Sequence, residues 1–319
     1  VNFSLSALLS APELESAAML ICVVAVERWL HWPEKYHPLS VIKLLAKRLA
    51  EKVHKGAGQS RYQQHLAGTL ALLILVAPLV IIFALLTSLS EFPLLFNALL
   101  FLVALQFQPI QQTNQKIYRA LAQDRKILAR QLLSAIVLRE TRNLSPLGVG
   151  KACIESQLLR FAHQYCSVVL LYLIGGGALA LAYRMGYECS QMWNTRNPYF
   201  RYFGRGAALS MTFIQWIPAR LAALCFALAQ NVGESVNAFR LNKWHHCTHL
   251  FLLHVQGAAL GIELGGPAFY RGQKYRFDKV GGVRQARLED MQRTKKAITR
   301  AQTVLISFAV IAIISTGLM

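Results

Sequence analysis

An arginine and a run of glycines inside apolar sequence are the first residues whose types could do chemistry. Arg220 follows Pro218 within AALSMTFIQWIPARLAALCFALA, and Gly175-Gly176-Gly177 interrupts LLYLIGGGALALAYRMG. Proline removes a helix hydrogen bond, and glycine raises the entropy cost of a helix. At membrane depth the freed backbone groups must find partners inside the protein. An arginine there is expensive and normally faces a polar interior. Two readings stay open on these residues alone. Either the helices line a polar site that attracts anions, or the glycines are a packing face and Arg220 snorkels to the headgroups.

Two further groupings have the right chemistry. Gly265-Gly266-Pro267 breaks a helical pattern, and backbone N–H groups in such a turn can cradle an anion, with Lys274 and Arg276 nearby to add charge. The same three residues also read as a plain turn. His245 and His249 are four residues apart, a metal-ligand spacing, but no glutamate accompanies them. The neighbouring Leu-Phe-Leu-Leu makes an amphipathic surface helix the default there, and no metal site is assigned. Trp193, Tyr199, Phe200, Tyr202 and Phe203 read as an interfacial aromatic belt.

The elements that must position these residues are membrane helices. The 319 residues are 55% hydrophobic and 15% charged, with a mean hydropathy of +0.36. That excludes an ordinary soluble domain. The formal charge of +19 is gathered between apolar runs, as in cytoplasmic loops, so anionic lipid and phosphorylated substrates are expected partners and nucleic acid is not. Six scattered cysteines without CxxC spacing imply no disulfide framework.

Taken in order, the N-terminal stretch carries Glu13 and Glu15 and no basic residue, unlike a secretory signal. A short apolar run ends at Glu27 and Arg28. Lys35 to Arg61 then holds seven basic residues against Glu51, with VIKLLAKRLAEKV patterned as an amphipathic surface helix. Leu66 to Leu89 is the clearest span, uncharged, with Pro78 as a candidate kink. PLLFNALLFLVALQF returns, and Gln108 to Arg142 reads as a polar helical hairpin. Cys166 to Tyr183 and Ala207 to Ala229 are further possible spans, and the last nineteen residues form an uncharged anchor behind Arg293, Lys295, Lys296 and Arg300. The expected fold is an all-α integral membrane protein, four to six transmembrane helices with amphipathic cytoplasmic helices. It is one unit over residues 1–319, with cytoplasmic loops at about 32–65, 108–160 and 230–300. Multi-pass insertion in a bacterial inner membrane is expected.

The order and spacing of several segments resemble the CobD/CbiB family of cobalamin-biosynthesis membrane proteins. Glu27 and His37-Pro38 are similar to its N-terminal acid and His-Pro. Arg139-Glu140-Thr141 resembles the family's Arg-Asp-Thr, and Glu155 falls on the glutamate that opens its Val-Glu-Thr-Val-Ala-Glu-Asn. GGGALALAYR, then Arg201, Gly204 and Pro218-Ala219-Arg220, follow in order, and GALGIELGGPAFYRG resembles the family's Gly-Ala-Leu-Gly-Ile-Gln-Leu-Gly-Gly-Pro-Asn-Tyr-Tyr-Phe-Gly.

The resemblance implies adenosylcobinamide-phosphate synthase. That enzyme forms an amide between adenosylcobyric acid, a corrinoid intermediate, and aminopropanol phosphate, a phosphorylated amino alcohol, using ATP and Mg²⁺. It implies His37, Arg139, Arg201, Arg220, Gly265, Gly266 and Lys274 as ligand- or phosphate-binding residues and Glu155 and Glu188 as candidate catalytic acids. Glu155, Arg201, Arg220 and the Gly265-Gly266-Pro267 turn are expected to share one cavity.

The chain departs from the family at its acids. Met211-Thr212 stand where the family has paired aspartates, and Leu159 to Gln164 and Tyr187 to Met192 replace its Glu-Asn-Thr-Val-Asp-Gly and Asn-Thr-Leu-Asp-Ser-Met. Methionine and threonine cannot replace carboxylates on magnesium. The departures predict weak magnesium–ATP binding and loss of turnover. They are shared in kind with the related AmpE group, non-catalytic membrane proteins tied to β-lactamase induction, which is the alternative reading.

Overall fold

The run read as Leu66 to Leu89 is most of a longer helix. In a computed structural model that describes residues 12–30, 32–55, 58, 60–240 and 247–316, it becomes α3 (Arg61–Leu89). The Ser60 hydroxyl accepts the Gln63 N–H at 3.2 Å, and Gln63 Oε1 accepts the Ser60 N–H at 2.9 Å. This reciprocal cap satisfies donors the first turn would leave bare. The helix has 29 residues, about 43 Å at 1.5 Å per residue, enough to cross a hydrocarbon core of about 30 Å.

Before it lie α1 (Pro12–Trp29) and α2 (Pro38–Val53), the latter being the expected amphipathic helix. α4 (Pro93–Leu105), α5 (Gln108–Ala122) and α6 (Lys126–Ser134) follow. α7 (Pro146–Arg160), a π-helical turn at Phe161–Cys166 and α8 (Ser167–Met192) make up the next helical stretch. α9 (Arg205–Ile214), α10 (Trp216–Ala229), α11 (Val232–Arg240) and α12 (Thr248–Leu260) precede the strands, and α13 (Leu288–Thr316) closes the described chain.

By length and composition four helices can cross a membrane: Arg61–Leu89, Pro93–Ala122, Pro146–Met192 and Leu288–Ser315. α9 and α10, bent by 49° at their junction, make a fifth if the pair is one span. The helical membrane fold is therefore the one the hydropathy pattern predicts. The structure adds short strands between α12 and α13. β1 (Ile262–Gly265) lies between β4 (Lys279–Gly281) and β5 (Arg284–Gln285), antiparallel to the first and parallel to the second. β2 (Ala268–Tyr270) and β3 (Gln273–Tyr275) pair as a hairpin.

The chain divides into two units. One comprises the chain up to Gln106, Ser167–Ile214 and the end from Ile306. In it α8 is central and packs on α2, α3, α4 and α9. The glycine run breaks α8: Gly175 and Gly176 leave helical geometry, and Gly176 has φ of +68°. Only glycine takes that conformation without strain. The Gly177 N–H, freed by the break, donates to Asn97 Oδ1 of α4 at 3.0 Å.

The other unit comprises Phe107–Cys166 and Gln215–Leu305. Here α12 packs on α7, α10, α11, β1 and β4. The Arg284 guanidinium grips Asp290 at the start of α13 through two bonds of 2.9 and 2.8 Å. That bidentate bond, with the nearby carboxylates, holds the arginine above its ordinary pKa against a smaller opposing effect of burial.

Candidate functional site

Glu155 is the residue on which the second unit's expected site converges. It lies on α7 and is 7% exposed. Its Oε2 accepts from Arg139 Nη2 at 2.8 Å, and its Oε1 accepts the Gly265 N–H at 2.8 Å. Gly265 has φ of +77°, and a Cβ there would meet the Asp278 carbonyl oxygen at 2.2 Å, so the turn admits only glycine. The adjacent Gly266 N–H donates to that same carbonyl at 3.3 Å. The turn thus donates to a resident carboxylate instead of standing open for an anion.

Around this clasp the charges are mixed. Lys151, one turn before Glu155, lies 3.7 Å from Glu263 Oε1, and Lys279 lies 3.2 Å from the same oxygen. Glu140 ties the segment before α7 to the β2–β3 hairpin: its N–H donates to the Phe269 carbonyl at 2.8 Å, and its carboxylate accepts the Gly272 N–H. Lys274 sits 5.8 Å from the Phe269 ring centre. A cavity of about 810 Å³ opens beside Arg139 and Glu140, and Arg130 and Arg142 also line it.

Arg220, in the same unit, is held by its own helix. Its Nη1 donates to the Trp216 carbonyl at 2.8 Å, and the guanidinium stacks 3.7 Å from the Trp216 ring centre and 5.2 Å from that of Phe251. This is a cation–π cradle.

In the first unit Glu188, on α8, is a buried acid. Arg184 Nη2, one turn earlier, lies 2.9 Å from its Oε1, and Lys43 Nζ of α2 lies 3.8 Å from its Oε2. Arg184 is 2% exposed and reaches Gln106 Oε1 at 3.5 Å, while its Nε and Nη1 have no partner among the described residues. His37 serves as the N-cap of α2, its Nδ1 accepting the Leu39 N–H at 3.2 Å. Arg201 lies 5.7 Å from the Tyr202 ring centre. Arg139, Gly265 and Glu155 are therefore brought together, Gly266 adjoins them, and His37, Arg201, Arg220 and Lys274 each have local partners of their own.

Sequence reasoning did not find Arg184, Lys43, Lys151 or Arg130. The tyrosine-arginine pair Tyr183-Arg184, four residues before Glu188, was the available signal for the first of these.

The magnesium ion that the resemblance implies does not fit these residues. Among the described residues no three His, Cys, Asp or Glu side chains gather as a metal set. Both oxygens of Glu155 face hydrogen-bond donors, and both of Glu188 face cations. Met211 is buried against Gly186, and the Thr212 hydroxyl donates to the Ala208 carbonyl at 2.8 Å. Of the histidines spaced for a metal, His245 lies outside the described residues, and His249 sits 6.3 Å from the Phe277 ring centre.

Comparison with known proteins places this arrangement in context. A family model described as CobD/Cbib protein matches residues 20–299. The chain is 26% identical over 308 residues to a cobalamin biosynthesis protein CobD of Chromobacterium violaceum, covering 95% of this chain and 99% of that one. It is 27% identical over 264 residues to the protein of the same name from Stutzerimonas stutzeri, covering 82% and 86%. A probable cobalamin biosynthesis protein CobD of Archaeoglobus fulgidus is 28% identical over 235 residues, covering 74% and 76%. No solved structure matches.

Proposed function

This chain belongs to the CobD/CbiB family, and on that premise we propose that it serves cobalamin biosynthesis at the adenosylcobinamide-phosphate synthase step. It holds the anionic partners of that amide-forming reaction, a corrinoid carboxylate and a phosphorylated amino alcohol, at a bacterial inner membrane. The observation that carries this reading is the family match across residues 20–299, with relatives named as cobalamin biosynthesis proteins. The Glu155–Arg139–Gly265 clasp supports it, because all three residues stand where the family resemblance expects its site.

The chain's own residues supply positive charge and fixed donors. Lys151 and Lys279 lie beside the Gly266 end of the clasp, where both face Glu263, and such cations attract carboxylate and phosphate oxygens. They do not supply the carboxylates that a magnesium–ATP complex requires. The reading is therefore of substrate binding without magnesium–ATP turnover by this chain alone.

A second reading, an AmpE-like partner protein without corrinoid substrate, is favoured by one observation: the buried acids Glu155 and Glu188 are both already engaged. A reconstituted assay with adenosylcobyric acid, aminopropanol phosphate and ATP separates the readings, run beside substrate-binding measurements and complementation of a strain lacking the synthase. Binding of the corrinoid or the phosphorylated amine without product supports the first reading. Robust product overturns the loss of turnover, and absence of both binding and complementation supports the second.

A further inference from the structure

Three buried carboxamides of the second unit share one small cavity. Gln111 and Asn114, about a turn apart on α5, and Gln157 of α7 line it, together with Met291, Gln292 and Lys295 of α13. The Cys153 thiol donates to Asn114 Oδ1 at 2.9 Å, and Gln157 Nε2 donates to the Cys153 sulfur at 3.6 Å. Those bonds use one end of Asn114 and one end of Gln157. Asn114 Nδ2, Gln157 Oε1 and Gln111 Oε1 are buried and have no partner among the described residues, and none of the three residues is more than 9% exposed. A buried polar atom is costly unless it is hydrogen-bonded, so three of them around one cavity point to a ligand.

Size and the balance of donors select that ligand. The cavity measures about 10 Å³, room for the centre of a single water. Two oxygens there need a donor, and one N–H needs an acceptor. A water answers all three, donating twice and accepting once. A metal ion or an ammonium ion would leave the Asn114 N–H facing positive charge, and the Lys295 ammonium in the lining would repel it. Chloride would face the two carboxamide oxygens. Gln115 Oε1 stays outside this balance, because Gln292 Nε2 and Lys295 Nζ already donate to it at 3.2 and 3.4 Å.

We propose that this cavity binds one ordered water, which donates to Gln111 Oε1 and Gln157 Oε1 and accepts from Asn114 Nδ2. The water closes a ring that runs through Asn114, the Cys153 thiol and Gln157, and so joins α5 to α7. Cys153 and Gln157 lie a turn apart on α7, and Glu155 between them projects from the opposite side of the helix. The ring therefore braces the back of the helix whose front carries the Glu155 clasp. It does not rest on the corrinoid reading, since none of its residues belongs to the expected substrate site.

The test is radiolytic labelling of the full chain in detergent, read by peptide mass spectrometry. An X-ray pulse turns a bound water into hydroxyl radical in place, and the radical oxidises the side chains beside it. Met291 lines the cavity and Met185 of α8 does not, yet the two are almost equally buried, at 2% and 1% exposed. Met291 should be oxidised severalfold faster than Met185. Gln111→Leu with Gln157→Leu removes both acceptors and should bring Met291 down to the Met185 rate. Met185 also reports the fold, because unfolding exposes it. Should the pair unfold the chain, Gln111→Leu alone, at the less buried of the two positions, should still lower the Met291 rate. Equal protection of the two methionines in the native protein, or an unchanged Met291 rate in a folded variant, overturns the proposal. Melting in sodium, potassium and ammonium chloride at equal ionic strength should be the same. A melting temperature that rises and saturates with one of these cations overturns it in favour of a cation site.

Discussion

Glu155 and Gly265 are 110 positions apart, yet the carboxylate accepts the glycine N–H at 2.8 Å while its other oxygen holds Arg139. Glu155→Ala leaves the half-buried Arg139 guanidinium and the Gly265 N–H without their acceptor. We expect a loss of about 1.5–3 kcal/mol, the scale of a hydrogen bond to a charged group. Glu155→Gln should lose less, since the amide oxygen can still accept from Gly265. Thermal unfolding in detergent measures both, and equal melting of the two variants would contradict the clasp.

Arg184 and Glu188 make the corresponding pair in the other unit, at 2.9 Å. Either residue replaced alone by methionine should destabilise by about 3–5 kcal/mol, and the double replacement should recover most of that loss. Additive losses in this cycle would show that the two side chains do not depend on each other.

His254 gives the protein a pH response. Burial holds its imidazole below the ordinary value of 6.5, with the Ala238 carbonyl pulling the other way. Its Nδ1 accepts the Gly281 N–H at 3.2 Å, which requires that nitrogen to be unprotonated. A depressed histidine contributes stability that is fully present above pH 6.5 and is lost as pH falls through the lowered folded value. The melting temperature should therefore fall more between pH 7.5 and 5 in the native protein than in His254→Asn, which keeps an acceptor and cannot protonate. Parallel curves for the two proteins would remove His254 from the explanation.

Sidedness can be read at two open positions. A Cβ at Gly58 or at Gly272 would meet nothing within 4 Å, so a reporter inserted there displaces no neighbouring atom, and at Gly272 it gives up the bond from that N–H to the Glu140 carboxylate. Both positions lie in basic segments that the positive-inside rule assigns to the cytoplasm. Green fluorescent protein inserted at either should fluoresce and alkaline phosphatase should be inactive. The reverse pattern at either site would refute the assignment.

How much of this could be read beforehand depended on distance along the chain. α3 and α2 follow from local patterns, uncharged over Leu66 to Leu89 and amphipathic over Pro38–Val53. The clasp was partly legible, because Glu155, Arg139 and the Gly265-Gly266 turn each carry a distinct local motif. Lys43 was not, since nothing around VIKLL announces that its ammonium reaches Glu188, 145 positions away. The Trp216 cradle of Arg220 is hard to read for a different reason: the four-residue spacing is visible in the sequence, but it fits an arginine facing a polar site as well as one stacked on its own helix.

The break in α8 has a consequence in time. Asn97 accepts from Gly177, which comes 80 positions later. At the usual pace of synthesis, about 5–20 residues per second, the ribosome takes about 4–16 s to polymerise that interval. Throughout it the Asn97 amide of α4 must be hydrated or borrowed by some other acceptor or donor, because an unmet amide is costly in hydrocarbon. The nascent chain therefore carries an unfinished helix through its insertion, and the earlier segment is completed only when the later one arrives.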